Sequence, residues 1–247
     1  MRYFIRLAYD GSNYHGWQRQ PNGVTVQERL ESALTAALRR PTEVTGAGRT
    51  DAGVNAAMMI AHFDTPEPIA DPVATAHSLN GILKSDIAVQ AIFPVADDAH
   101  ARFDATSRTY KYFVATEKLP FRSRFSWRCP FPLDFGLMNQ AAAGLPGHSD
   151  FTSFSKLHTD TATNLCRVSA ARWEREGELW AFTITADRFL RNMVRAIVGT
   201  LVEVGRRKIT VGDFGRIIDA RDRCAAGASM PGNALFLWKI TYPYQIK

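Results

Sequence analysis

Between Arg2 and Tyr9 the apolar residues Tyr3, Ile5, Leu7 and Tyr9 fall on one side of an extended run, which predicts a half-buried strand. A polar, glycine-bearing loop from Asp10 to Gly23 follows. Thr25 and Glu28 have the spacing of a capping box, and Val26, Leu30, Ala33, Leu34, Ala37 and Leu38 repeat at helical intervals up to about Arg39. Pro41 ends that helix. Ala56 to Phe63 reads as a strand. Asp71 and Pro72 open a helix to about Leu83, and Ile87, Val89, Ala91, Phe93 and Val95 alternate as another strand.

The second half repeats this mixture without repeating the sequence. Thr106 to Ala115 predicts a strand with Arg108, Tyr110 and Tyr112 on one face. Leu133 to Leu145 predicts a helix, and Cys166–Arg175 with Leu179–Thr185 a hairpin turning at Glu176-Gly177. Leu190, Met193, Val194, Ile197, Val198 and Leu201 mark an amphipathic helix, Thr210 opens another, and Leu235 to Tyr242 is a last strand. Steady β-α-β alternation is absent, so the expected class is α+β with mainly antiparallel sheet. A junction near Ala101–Ala105 divides the chain into residues 1–104 and 105–247.

A chain of 247 residues can bury a sizeable core. No run approaches the length and apolarity of a membrane span, and Met1 to Arg6 reads as strand, not as a signal peptide. Cys129, Cys166 and Cys224 are odd in number and widely spaced, which argues for a reducing cytoplasm. The formal net charge is +6, and most of the 30 basic residues are arginine. Guanidinium forks match phosphates and stack on bases, so the bias suits a nucleic-acid partner; GC-rich coding produces the same bias.

The densest cluster of special residues is Gly46-Ala47-Gly48-Arg49-Thr50-Asp51-Ala52-Gly53-Val54-Asn55-Ala56. On composition alone, a tight turn with a solvated aspartate is the commoner meaning of such a stretch. The chemical reading is a carboxylate aimed by a shaped loop, with Arg49 beside it to grip a phosphate or keep it ionised. Asp51 takes the place of the third glycine of a dinucleotide fingerprint, and no Gly-Lys-Ser/Thr ending occurs, which disfavours a nucleotide cofactor. His15, His62, His77, His100, His148 and His158 never fall at ligand spacing with each other or with cysteine, which disfavours metal catalysis. One ionised aspartate near arginines can attack a sugar C1′, stabilise an oxocarbenium-like centre or take a ribose proton. Those roles suit rearrangement or hydrolysis of an N-glycosidic bond on a base drawn out of its stack. A non-catalytic RNA-binding factor is the third reading, carried by charge alone.

Gly48-Arg49-Thr50-Asp51-Ala52-Gly53-Val54 resembles the catalytic motif of the tRNA pseudouridine synthase A family. The likeness runs the length of the chain. It includes Tyr9-Asp10-Gly11, Gly16-Trp17-Gln18-Arg19-Gln20, Thr25-Val26-Gln27 with Leu30-Glu31, and Ala101-Arg102-Phe103-Asp104-Ala105. It continues through Arg108-Thr109-Tyr110-Lys111-Tyr112, Asp150-Phe151-Thr152-Ser153-Phe154 and Phe189 to Gly199.

The resemblance implies two ferredoxin-like halves joined in one curved, mainly antiparallel sheet, with the site in a basic cleft. It implies isomerisation of uridine to pseudouridine at positions 38, 39 and 40 of the tRNA anticodon stem-loop, by a homodimer without cofactor or metal. Asp51 would be the catalytic aspartate, Arg49 would intercalate or steer the flipped nucleotide, and Tyr110 would stack on the uracil. Arg195 would pair with Asp51, and Leu235 would line the pocket. The chain departs from the family at Asn55, where histidine is usual, at Leu83-Lys84-Ser85-Asp86 and at Met230-Pro231-Gly232-Asn233-Ala234-Leu235.

Beside the resemblance, Arg188, Arg191 and Arg195 are spaced to stack on one helix face, with Arg188 and Arg191 toward phosphates. Trp17 and Arg19 stand as tRNA contacts, or Trp17 as packing under its loop. Phe121-Arg122-Ser123-Arg124-Phe125-Ser126-Trp127-Arg128 reads equally as an RNA grip, a dimer loop or a core lid. Phe151 and Phe154 read as core.

Overall fold

The computed structural model describes residues 1–156 and 163–246, so His158 lies outside the described residues. The chain divides into two compact units, residues 1–106 with the residues from Leu237 onward, and residues 107–236.

The first unit is built on β1 (Arg2–Tyr9), α1 (Val26–Leu38), β2 (Thr45–Gly46), β3 (Asn55–Asp64), α2 (Pro72–Ile82) and β4 (Ile87–Val95). β1 runs antiparallel to both β3 and β4, with Phe4 opposite His62 on one side and Phe93 on the other. It is buried on both faces, not half-buried as its alternation suggests. Phe4 has no exposure and meets the rings of Phe93 and Tyr242 at 6.1 and 5.5 Å. α1 starts where the Thr25 hydroxyl accepts the Glu28 N–H and stops at Arg39, whose left-handed backbone cannot extend a helix. Asp71 caps α2 through the N–H groups of Val73 and Ala74.

The second unit carries β5 (Ser107–Ala115), β6 (Trp127–Arg128), α3 (Phe135–Ala142), β7 (Val168–Glu176), β8 (Leu179–Ala186), α4 (Met193–Gly205) and α5 (Val211–Asp219). β5, β8 and β7 pair antiparallel in that order, and β6 adds a short parallel pairing to the end of β5. The β7–β8 hairpin turns at Gly177, which takes the positive φ of 61° that favours glycine. Phe135 stacks on Trp180 at 3.9 Å and meets Trp173 edge-on. At the start of α5 both halves of a capping box close between Thr210 and Asp213.

Two boundaries differ from the sequence reading. α4 begins at Met193, because Asn192 sits at φ 68° and ψ 0°. Arg188 and Arg191 therefore precede the helix, and only Arg195 rides on it. The closing strand, β9 (Leu235–Thr241), neighbours β3, and its residues from Leu237 onward group with the first unit. Tyr242 fixes that segment there by donating to the Ala101 carbonyl at 2.6 Å, and Tyr244 donates to Asp104 at 2.9 Å. The fold is α+β with mainly antiparallel pairing, as the pattern predicts.

Candidate active site

Asp51 opens a tight turn. Its carbonyl accepts the Val54 N–H at 3.2 Å, and Gly53, third in the turn, takes φ 75°. An isolated turn of this kind would sample many shapes. Here the loop after β1 lies against it at several points. The Gly53 N–H donates to the Tyr14 carbonyl at 3.2 Å, and the Trp17 N–H donates to the Thr50 carbonyl at 3.2 Å. The Thr50 hydroxyl and the Tyr9 phenol share a buried hydrogen bond of 2.8 Å. Asn55 is fully buried, and its Oδ1 accepts the Gly11 N–H at 2.9 Å. Asn55 is thus a tether between the two loops.

Two glycines make this contact possible. A Cβ on Gly11 would stand 2.1 Å from the Val54 carbonyl oxygen, and one on Gly16 would stand 2.3 Å from that of Thr50. The outer side of the same loop is anchored to Asp86, which accepts from the Tyr14 phenol at 2.7 Å and from Asn13 at 3.1 Å. Burial, then the Asp86 carboxylate, raises the Tyr14 phenol above its ordinary value. Asp51 is left half-buried and Arg49 exposed.

Trp17 is 2% exposed and stacks on Tyr9 at 6.1 Å. Its indole covers Gly46, where a Cβ would stand 2.3 Å from Nε1. Of its two readings, the packing role describes this side chain, which presents almost no surface to a nucleic acid. Arg19 keeps an exposed guanidinium 3.5 Å from the buried Glu31 carboxylate.

The second unit holds Tyr110, Arg195, Leu235, Arg188 and Arg191. Tyr110 lies on β5, nearly buried, with Phe189 edge-on at 5.1 Å. Arg195 lies in the first turn of α4. Its Nε donates to the Met230 carbonyl, and its own carbonyl accepts the Met230 N–H at 3.1 Å. The Met230 backbone therefore orients the guanidinium. Gly199 lets the chain just before the Met230–Leu235 segment close on α4, since a Cβ there would meet the Ala228 oxygen at 1.8 Å. A cation at a helix N-terminus adds to the positive end of the dipole, a setting that draws in an anion. The Tyr112 phenol is fully buried, and burial raises it far above its ordinary value while the Arg195 charge pulls it partly back. Leu235 is buried at the start of β9. Arg188 is half-buried, and Arg191 is exposed.

Phe151 and Phe154 have no exposure and belong to the core. Phe121 is 98% exposed, so its ring is no core lid. Among the described residues no group of three or more His, Cys, Asp or Glu side chains is arranged to hold a metal, and no helix is long and apolar enough to cross a membrane. Sequence reasoning missed the pinning partners Tyr9, Gly11, Asp86 and the Met230 carbonyl. The glycines at 11 and 16 were the available signal, because close backbone approach is what such residues permit.

A half-exposed carboxylate on a turn braced from one side, in an arginine-rich α+β chain, defines a candidate enzyme acting on an anionic substrate. A family profile described as tRNA pseudouridine synthase matches residues 6–104 and 141–243. The chain belongs to that family. It is 58% identical over 245 residues to a protein of Parabacteroides distasonis named tRNA pseudouridine synthase A, covering 99% of this chain and 97% of the relative. A Bacteroides thetaiotaomicron protein of the same name is 60% identical over 248 residues, covering 99% and 92%. One from Colwellia psychrerythraea is 41% identical over 245 residues, covering 98% and 94%.

Proposed function

We propose that this protein isomerises uridine to pseudouridine at positions 38, 39 and 40 in the anticodon stem-loop of tRNA, with Asp51 as the catalytic residue. The observation that carries the reading is the braced turn holding Asp51 half-exposed, in a chain so similar to proteins named for this activity. In the reaction the C1′–N1 bond breaks, the uracil turns, and a C1′–C5 bond forms. The proton on C5 leaves and N1 ends protonated, so nothing is gained or lost overall. The Asp51 carboxylate works at the ribose. Tyr110 stacks on the extruded uracil, Leu235 lines its pocket, and Arg195 is a further substrate-binding residue. Arg49 steers the flipped nucleotide, while Arg19, Arg188 and Arg191 meet phosphates. The protein acts in the cytoplasm as a homodimer and needs no cofactor.

The test is incubation with unmodified tRNA followed by nucleoside analysis at positions 38 to 40. Wild type is expected to convert uridine there, and Asp51→Asn to lose about 10²–10⁴-fold in turnover while still binding tRNA. Release of free uracil would point to a hydrolytic glycosylase instead. Full turnover by Asp51→Asn would leave only an activity carried elsewhere.

A further inference from the structure

We infer that the buried hydroxyl pair of Tyr9 and Thr50 is a positioning device for Asp51. The inference rests on the reading of Asp51 as the catalytic carboxylate. Thr50 immediately precedes Asp51, so the plane of the 50–51 peptide sets the direction from which the carboxylate leaves the chain. That peptide is held by the Trp17 N–H on the Thr50 carbonyl and by the Gly16 backbone beneath it. Those contacts leave rotation about the Thr50 side chain to be settled. The Tyr9 phenol settles it with a 2.8 Å bond to the Thr50 hydroxyl. Threonine is stiff at χ1, so fixing its oxygen also restricts the backbone on either side.

Tyr9 suits this task. It is the last residue of β1, 4% exposed, and its ring is set by Trp17. The ordered end of a central strand thus reaches one residue short of the reacting group through the Tyr9–Thr50 hydroxyl bond. A displacement of about 1 Å at a catalytic group costs on the order of a hundredfold in rate. Tyr9 and Thr50 are therefore positioning residues, felt in the chemical step more than in tRNA binding.

The experiment compares Tyr9→Phe, Thr50→Val, Thr50→Ser, the Tyr9→Phe/Thr50→Val double variant and Asp51→Asn. Single-turnover rate, tRNA dissociation constant and melting temperature are measured for each full-length protein. Tyr9→Phe and Thr50→Val are expected to slow the single-turnover step by about 10–100-fold with tRNA affinity within about twofold of wild type. Thr50→Ser keeps the hydroxyl and recovers most of the rate. The double variant is no slower than the slower single, because both remove the same bond. Wild-type rates for Tyr9→Phe and Thr50→Val beside an inactive Asp51→Asn overturn the inference and leave the catalytic assignment standing. Multiplying losses in the double variant, or a rate loss matched by weaker tRNA binding, also overturn it. Wild-type turnover by Asp51→Asn removes the catalytic assignment, and the inference with it. Should Thr50→Val fail to fold, Tyr9→Phe against Thr50→Ser decides the question alone.

Discussion

The two units hold their candidate site residues by opposite means. In the first, Asp51 sits in a turn with no ladder of its own, and its shape comes from Tyr9 at the end of β1, from Gly11, Gly16 and Trp17 in the loop after it, and from Asn55 at the start of β3. In the second, Tyr110 is mid-strand on β5 and Arg195 is in a 13-residue helix, so the backbone bonds of those elements exist before any side chain is positioned. The Met230 brace then only turns the guanidinium. A loop-borne group is thus hostage to residues distant in sequence, whereas a group on a strand or helix inherits its place. The comparison predicts that remote substitutions harm the first unit's site more than the second's.

The largest expected effect is at Gly16. Its φ of 89° disfavours any side chain, and the added Cβ would meet the Thr50 oxygen. Gly16→Ala is expected to cost about 3 kcal/mol of stability and to reduce turnover at least about a hundredfold. Gly48→Ala, in the glycine-rich stretch that carries Asp51, has no atom within 4 Å of its would-be Cβ. It should cost under about 1 kcal/mol. Equal melting temperatures for the two variants would break the comparison, because they would mean that the turn holds itself.

Acid separates the units next. His62, on β3, accepts the Ala101 N–H through Nδ1 at 3.1 Å and packs edge-on against His100 at 4.6 Å. Burial, with the Arg2 and His100 charges, lowers its pKa from 6.5 to about 4. A lowered folded value means that the unfolded chain takes up the proton first. The contribution is complete above about pH 6.5 and is lost as pH falls toward 4. The loss is on the order of 1 kcal/mol by pH 5 once screening by solvent is allowed for. In the second unit, hydrogen bonds from Thr210 and then the Arg216 guanidinium hold Asp213 down to about 2. That carboxylate stays ionised until well below pH 4. Melting temperature is therefore expected to fall between pH 7 and 5 in wild type and to fall less in His62→Gln. The same slope in both would assign the acid response elsewhere.

Much of the fold was legible because its elements are strongly periodic. β4 spans the very residues that alternate, Ile87–Val95, and the hairpin turn was marked by Glu176-Gly177. The turn at Asp51 was legible through its glycines. What could not be read is whatever depends on an unusual backbone angle at an ordinary residue. Asn192 in the left-handed region delays α4 and removes Arg188 and Arg191 from its face. The same holds for partners far apart in the chain. Nothing local to Tyr9 announces Thr50, 41 residues on, and nothing local to Arg195 announces the Met230 carbonyl, 35 residues on.

The smallest expected effect concerns a feature that the units share. In the first, the Asn80 amide of α2 bonds both backbone groups of Val89 on β4, at 2.7 and 2.8 Å. In the second, the Asn139 amide of α3 does the same to Trp173 on β7, at 2.7 and 3.0 Å. Each strand stands at the end of its unit's strand order, so its outward N–H and C=O meet no further strand among the described residues. A side-chain amide offers one donor and one acceptor at the right spacing, and so imitates the missing strand. Water can replace it at a partly open edge, so Asn80→Ala and Asn139→Ala should each cost only about 1 kcal/mol, and turnover at the melting-corrected folded fraction should not change. Denaturant midpoints for the two variants should shift together. A much larger loss for Asn139→Ala would show that the buried Trp173 depends on its clamp, and that the second unit too relies on a remote side chain to hold a regular element in place.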